Sequence, residues 1–152
     1  MKIYLARPIS GHKGEDVFKY YEYLKSELEY NGYEVLCPMS GKGEIRTDVE
    51  YKPTGYTLPV ATDKAIKSRD QWMVIQSDIV LLDLSEATEK SIGCMMELAW
   101  GDLLNKHTIL VMKKNNIHSH AFVYECSDIV FETLNDAVEY LSKLTKKSNL
   151  IQ

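Results

Sequence analysis

Ser77-Asp78-Ile79-Val80-Leu81-Leu82-Asp83 carries the reading of the fold. Four consecutive aliphatic residues between polar ends read as a strand buried on both faces, the pattern of parallel sheets covered by helices. Upstream, a helical segment runs from about Ala61 to Gln76. Downstream, Ser91 reads as the N-cap of a helix whose expected core stripe is Ile92, Met95, Ala99 and Leu103. Thr108 to Met112 reads as the next strand and Ile129-Val130-Phe131 as a short one. Leu134, Val138, Leu141 and Leu144 mark a last helix. Toward the start, Lys2 to Ala6 reads as a strand ended by Arg7-Pro8. Val17, Tyr21, Leu24 and Leu28 recur at helical spacing before Asn31-Gly32, and Tyr33 to Leu36 is a second short strand. The order β-α-β-loop-α-β-α-β-β-α predicts an α/β fold with a mostly parallel five-stranded sheet and helices on both faces.

The 152 residues, 45% of them hydrophobic, suit one domain spanning 1–152 with its own core. A long irregular loop is expected at about 37–60, and loops of that length are often functional. A charged fraction of 26% argues against disorder, and a net charge of −4 against a nucleic-acid polymer as partner. Lys2 to Ala6 is too short to span a membrane and is not a signal-peptide core. Cys37, Cys94 and Cys126 are odd in number and widely spaced, offering neither a metal pair nor a disulfide framework. A cytoplasmic protein without membrane partner, metal or cofactor is the expectation.

In open parallel sheets, ligands bind beyond the carboxyl ends of the strands. Arg7 to Gly14, Asp83 to Gly93 and Lys113 to His120 should converge there. Ser10 and Gly11, with Arg7 nearby, fit a phosphate-holding turn or an ordinary strand-to-helix turn, and the residues alone leave both open. Gly93, Glu97 and Gly101 are spaced by four and share one helix stripe beside the expected core stripe. Glu97 therefore reads either as a carboxylate exposed to a close-lying ligand or as a solvated glutamate between packing glycines. An ionised carboxylate in a sugar-sized cleft can attack an anomeric carbon. Asp70 has no capping reason to sit mid-helix, though a solvent-facing aspartate fits as well. Asp83 ends the central strand, where a ligand contact and a turn are both plausible. Cys94 reads as packing, and His118 and His120 lack the further ligands a metal site needs. Tyr4 stands out because its strand should lie beside Glu97.

Three segments together resemble the nucleoside 2-deoxyribosyltransferase family: Lys2-Ile3-Tyr4-Leu5-Ala6-Arg7-Pro8-Ile9-Ser10-Gly11, Asp70 eight residues before Asp78, and Ser91-Ile92-Gly93-Cys94-Met95-Met96-Glu97-Leu98-Ala99. The resemblance runs from about Lys2 to Met112 and implies a flavodoxin-like or Rossmann-like three-layer sandwich. It implies Glu97 as nucleophile at C1′, Tyr4 as its hydrogen-bonding partner, and Asp70 as the acid and base serving the leaving base and water. It matches Ser10, Gly11 and Ser91 to phosphate positions, with Gly93 beside them, and His120 roughly to one supplied by a neighbouring subunit. Members that hydrolyse nucleoside 5′-monophosphates carry Ser six positions before the glutamate, as Ser91 stands here; transferases acting on free nucleosides tend to carry Asp. Hydrolysis of a (deoxy)nucleoside 5′-monophosphate is therefore the first expectation, base transfer between free deoxynucleosides the second, and nucleotide sensing without turnover the third. Arg7 departs from the family, where glycine is usual, and it implies an added phosphate contact or a narrower sugar site. A homodimer or larger homo-oligomer is also implied, with the last helix and the helix bearing Met95, Met96 and Trp100 as candidate contact faces.

Overall fold

A computed structural model describes residues 1–40 and 48–145. Five strands form one sheet: β1 (Lys2–Ala6), β2 (Glu34–Leu36), β3 (Ile79–Asp83), β4 (His107–Val111) and β5 (Ile129–Phe131). Their order is β2-β1-β3-β4-β5 and every pairing is parallel, so the expected mostly parallel sheet is parallel throughout. Ile3, Leu5, Ile79, Leu81, Ile109 and Val111 point to one face; Tyr4, Ala6, Val80, Leu82 and Leu110 point to the other. This period-two alternation, apolar on both sides, is what a sheet between two helical layers requires.

The first face is covered by α1 (Gly14–Tyr30) and α5 (Leu134–Thr145). Val17, Tyr21, Leu24 and Leu28 form the buried stripe of α1, as their spacing predicts. Gly32, at φ +87°, ends that helix in the left-handed conformation, with the Tyr33 N–H donating to Leu28 C=O. The second face carries α2 (Asp63–Gln76), α3 (Ile92–Leu103) and a short α4 (Ala121–Glu125). A 3₁₀ turn at Pro59–Ala61 precedes α2, and α4 has no counterpart in the periodicity because five residues are too few to display one.

The expected core stripe of α3 is overturned. Ile92 is 78% exposed and Leu103 76%, Ala99 is exposed and Met95 half-buried, whereas Cys94, Glu97, Leu98 and Gly101 face the sheet. The helix is apolar on nearly every side, so periodicity could not choose its inner face; close approach did. A Cβ at Gly101 would stand 3.1 Å from both Val80 Cγ2 and Thr108 Cγ2. That glycine lets α3 settle against β3 and β4, which turns Glu97, one turn earlier, inward. Trp72, Ile75, Ile92, Met96 and Leu103 are left exposed on α2 and α3.

Of the 37–60 loop, residues 41–47 lie outside the described residues. The later part docks on the turn after β1: Gly11 N–H donates to Tyr51 C=O, Tyr51 N–H to His12 C=O, and Gly14 N–H to Val49 C=O. The crevice where the strand order reverses, between β1 and β3, thereby gains an outer wall. Because nothing can move out of its way cheaply, replacing Gly101 with Leu is expected to destabilise the fold by about 1–3 kcal/mol. Urea melts would register this as a lower midpoint at unchanged slope.

Candidate active site

A cleft of about 820 Å³ opens beyond the carboxyl ends of β1 and β3. Its walls come from the 7–12 turn, the 50–56 segment, the middle of α2 and the 88–94 turn leading into α3. Arg7, Ser10, Gly11, Asp70, Ser91, Gly93 and Glu97 all line it. Two carboxylates from different helices thus meet one cleft: Glu97, 7% exposed, from α3, and Asp70, 8% exposed, from α2. Buried carboxylates of this kind persist only where the surroundings satisfy them.

Tyr4 lies beneath the cleft, fully buried in β1, and its hydroxyl donates to Glu97 Oε1 at 2.6 Å. Burial, and then the negative charges of Glu97 and Asp70, push the Tyr4 phenol well above its ordinary range. It therefore stays protonated and serves as a permanent donor to the carboxylate. Burial likewise pushes the Cys94 thiol well up, which keeps it from acting as a thiolate and agrees with its reading as packing.

Ser91 caps α3 as its position predicts, its hydroxyl accepting from Cys94 N–H at 3.3 Å. With the Cys94 amide engaged, the Ile92 and Gly93 amides are the first-turn donors that the helix itself leaves unpaired, and both residues line the cleft. They form the anion-favouring end of the site. A Cβ at Gly93 would meet nothing within 4 Å, so this glycine borders open space, whereas Gly101 is a packing glycine. The stripe proposed from spacing divides at Glu97, with ligand space on one side and sheet on the other. Glu97 lies five residues from Ile92, about 7.5 Å of helical rise.

Gly11 shapes the first turn through its φ of +82°, but its N–H is committed to Tyr51. What remains for a ligand there is Ser10 and the open approach. The Arg7 guanidinium rests 4.1 Å over the Tyr20 ring, and the Tyr20 hydroxyl donates to Asp83 Oδ2 at 2.7 Å. Asp83 Oδ1 accepts from the Ser85 amide and hydroxyl, so Asp83 is an anchor for Arg7's platform. These residues border a smaller hollow of about 170 Å³ that shares Arg7, Pro8 and His12 with the main cleft.

His120 does not line this cleft. It starts α4, its Nδ1 accepting from Phe122 N–H at 3.2 Å, so the third expected segment does not bring it to Glu97 within one chain. The segment instead sets His118 against the Ser91 amide; from the residues alone His118 is weighed only as a metal ligand, because a bond to a backbone group carries no spacing signal. Tyr51 and Tyr56 of the long loop also line the cleft. Among the described residues no group of three or more His, Cys, Asp or Glu is placed to hold a metal ion, and no helix is long and apolar enough to cross a membrane.

The family profile described as nucleoside 2-deoxyribosyltransferase matches residues 3–135. Among solved structures, a 2-deoxyribosyltransferase from the psychrotolerant bacterium Bacillus psychrosaccharolyticus is 19% identical, with 92% of each chain covered and a TM-score of 0.66. A 2-deoxyribosyltransferase from Leishmania mexicana is 18% identical, with 93% of this chain and 97% of that one covered and a TM-score of 0.66. The CMP N-glycosidase BcmB of Clostridium botulinum is 15% identical, with 95% of this chain and 99% of that one covered and a TM-score of 0.59. At these identities the likeness is one of fold. No curated protein matches the chain.

Removing the Tyr4 hydroxyl takes a charge-assisted hydrogen bond from a buried carboxylate. Tyr4→Phe is expected to lower stability by about 1.5–3 kcal/mol. In a Glu97→Gln background the same change should be smaller, and a double-mutant cycle of urea melts measures the difference.

Proposed function

Because this chain belongs to the nucleoside 2-deoxyribosyltransferase family, whose members are enzymes acting on N-glycosyl bonds, we propose that it hydrolyses the N-glycosidic bond of a deoxynucleoside 5′-monophosphate. The observation that carries the reading is the pairing, in one cleft, of the Tyr4-held Glu97 carboxylate with the first-turn amides of α3 and the Ser91 hydroxyl. The distance between them along the helix is of the order that separates a sugar's anomeric carbon from its 5′-phosphate. A hydroxyl at position 91 accommodates a phosphate that an aspartate would repel.

In the first step Glu97 attacks C1′ from one face, the glycosyl ester forms, and the bond from C1′ to the base nitrogen breaks. Asp70, entering the cleft from α2, supplies the proton the departing base needs. In the second step Asp70, now the base, takes a proton from water, whose oxygen bonds C1′ as the ester to Glu97 breaks. Free base and deoxyribose 5-phosphate result, with retention at C1′. Tyr4 steers the carboxylate throughout, and its raised pKa keeps its proton in place. Arg7, fixed on Tyr20 at the border of both hollows, supplies positive charge beside the sugar-phosphate. Self-association belongs to the same reading: His120 would serve a neighbouring subunit, and the exposed apolar residues of α2 and α3 suit such a contact.

A screen of ribo- and deoxyribonucleoside 5′-monophosphates against the purified protein, following free base, is expected to find turnover. Glu97→Ala should abolish it by several orders of magnitude, since loss of a covalent nucleophile removes the low-barrier route. Ser91→Asp should raise KM for the monophosphate by about tenfold or more through like-charge repulsion. Base exchange between thymidine and adenine, with monophosphates untouched, would instead identify a transferase, and nucleotide that stays intact for hours would identify a sensor.

A further inference from the structure

His118 is 4% exposed and lies in the loop between β4 and α4. Its Nε2 stands 2.8 Å from the Ser91 amide nitrogen, which has only a proton to offer, so Nε2 is the acceptor. Its Nδ1 then carries the ring proton and faces Asn116 Oδ1 at 3.1 Å. That same oxygen accepts from the His118 amide at 2.9 Å, and Asn116 Nδ2 donates to Leu84 C=O at 2.8 Å. Every donor finds an acceptor in only one arrangement of the ring. The chain of bonds pins both ends of the turn joining β3 to α3: Leu84 at its start and Ser91 at its end.

Its consequence for the cleft is directional. The Ser91 N–H points back into the protein to His118, while the Ser91 hydroxyl caps α3 and the residue lines the cleft. Glu97 is held by other means, through the Tyr4 hydroxyl and the packing of Leu98 and Gly101 against the sheet. The anion-favouring end of the site and its carboxylate therefore have separate anchors. We infer that His118 is a positioning residue for substrate binding, holding the Ser91 end of the cleft through a neutral, Nδ1-protonated ring, and that it has no part in the chemistry at Glu97. Burial, and then the Lys90 ammonium, push the imidazole pKa down, so the ring is neutral at pH 7 and keeps its acceptor.

The inference rests on reading this cleft as the substrate site, so its test has two arms. In the first, ¹⁵N NMR of the wild-type protein is expected to show His118 as the Nδ1–H tautomer, and hydrogen exchange to show a protected Ser91 amide. In the second, His118→Leu is expected to raise KM for the best nucleoside 5′-monophosphate by about tenfold or more with kcat within about threefold, because the half-buried Ser91 amide loses its partner at the binding end alone. His118→Gln, whose side-chain carbonyl can reach the same N–H, is expected to recover most of that KM and the Ser91 protection. An Nε2–H tautomer, an unaltered KM in His118→Leu, a loss confined to kcat, or a Gln variant as impaired as the Leu variant would each overturn the inference. If no monophosphate is turned over, the functional reading falls, while the tautomer and the Ser91 exchange of both variants still decide the anchor.

Discussion

The buried hydrogen bond from Tyr4 to Glu97 is the constraint on which the rest of the site depends. It joins the third residue of β1 to the middle of α3, elements more than ninety positions apart in the chain. For that bond to form, β1 must lie beside β3, Tyr4 must point to the α2–α3 face, and α3 must approach closely enough to bring position 97 inward. The parallel register of Tyr4 with Val80 meets the first condition and strand alternation the second. Gly101 meets the third, since its missing side chain is the space that Val80 and Thr108 occupy. A carboxylate on a buried helix face would otherwise be a liability of several kcal/mol. Here it lines a cleft, with its orientation held by a phenol that cannot readily ionise.

Around this bond the cleft is assembled from parts that each serve stability as well as ligand space. The turn after β1 is braced by the 49–51 segment, which consumes the Gly11 amide while opening room beside Ser10. Tyr20 and Asp83 hold Arg7 at the boundary of two hollows, making a long flexible cation into a located one. The turn before α3 is tied to the loop after β4 by Asn116 and His118. Substrate-sized space at the switch point of a parallel sheet is thus lined by segments whose backbones are already engaged elsewhere, which limits the ordering that binding must impose.

What could be read from the residues differed by kind of signal. The strands were legible because both their faces are apolar, and α1 because Val17, Tyr21, Leu24 and Leu28 face one way while charged residues face the other. The cap at Ser91 and the stop at Gly32 were legible because caps follow local backbone chemistry. The inner face of α3 was misread, and with it half of the Gly93-Glu97-Gly101 stripe, because a helix apolar on most sides leaves the choice to its neighbours. The contact of His118 with Ser91 was illegible for a related reason: its partner, the Ser91 amide, lies 27 positions away and is a backbone group that any residue could present.

The amino-acid sequence by itself determined the succession of strands and helices, the ends of two helices and the stock of carboxylates, hydroxyls and cations, since periodicity and capping act over a few residues. Tertiary structure alone decided which face of α3 turns inward, and that a histidine holds the neighbouring turn in place. Those outcomes depend on which surfaces come within a few ångströms of one another, and local preference carries no information about that distance.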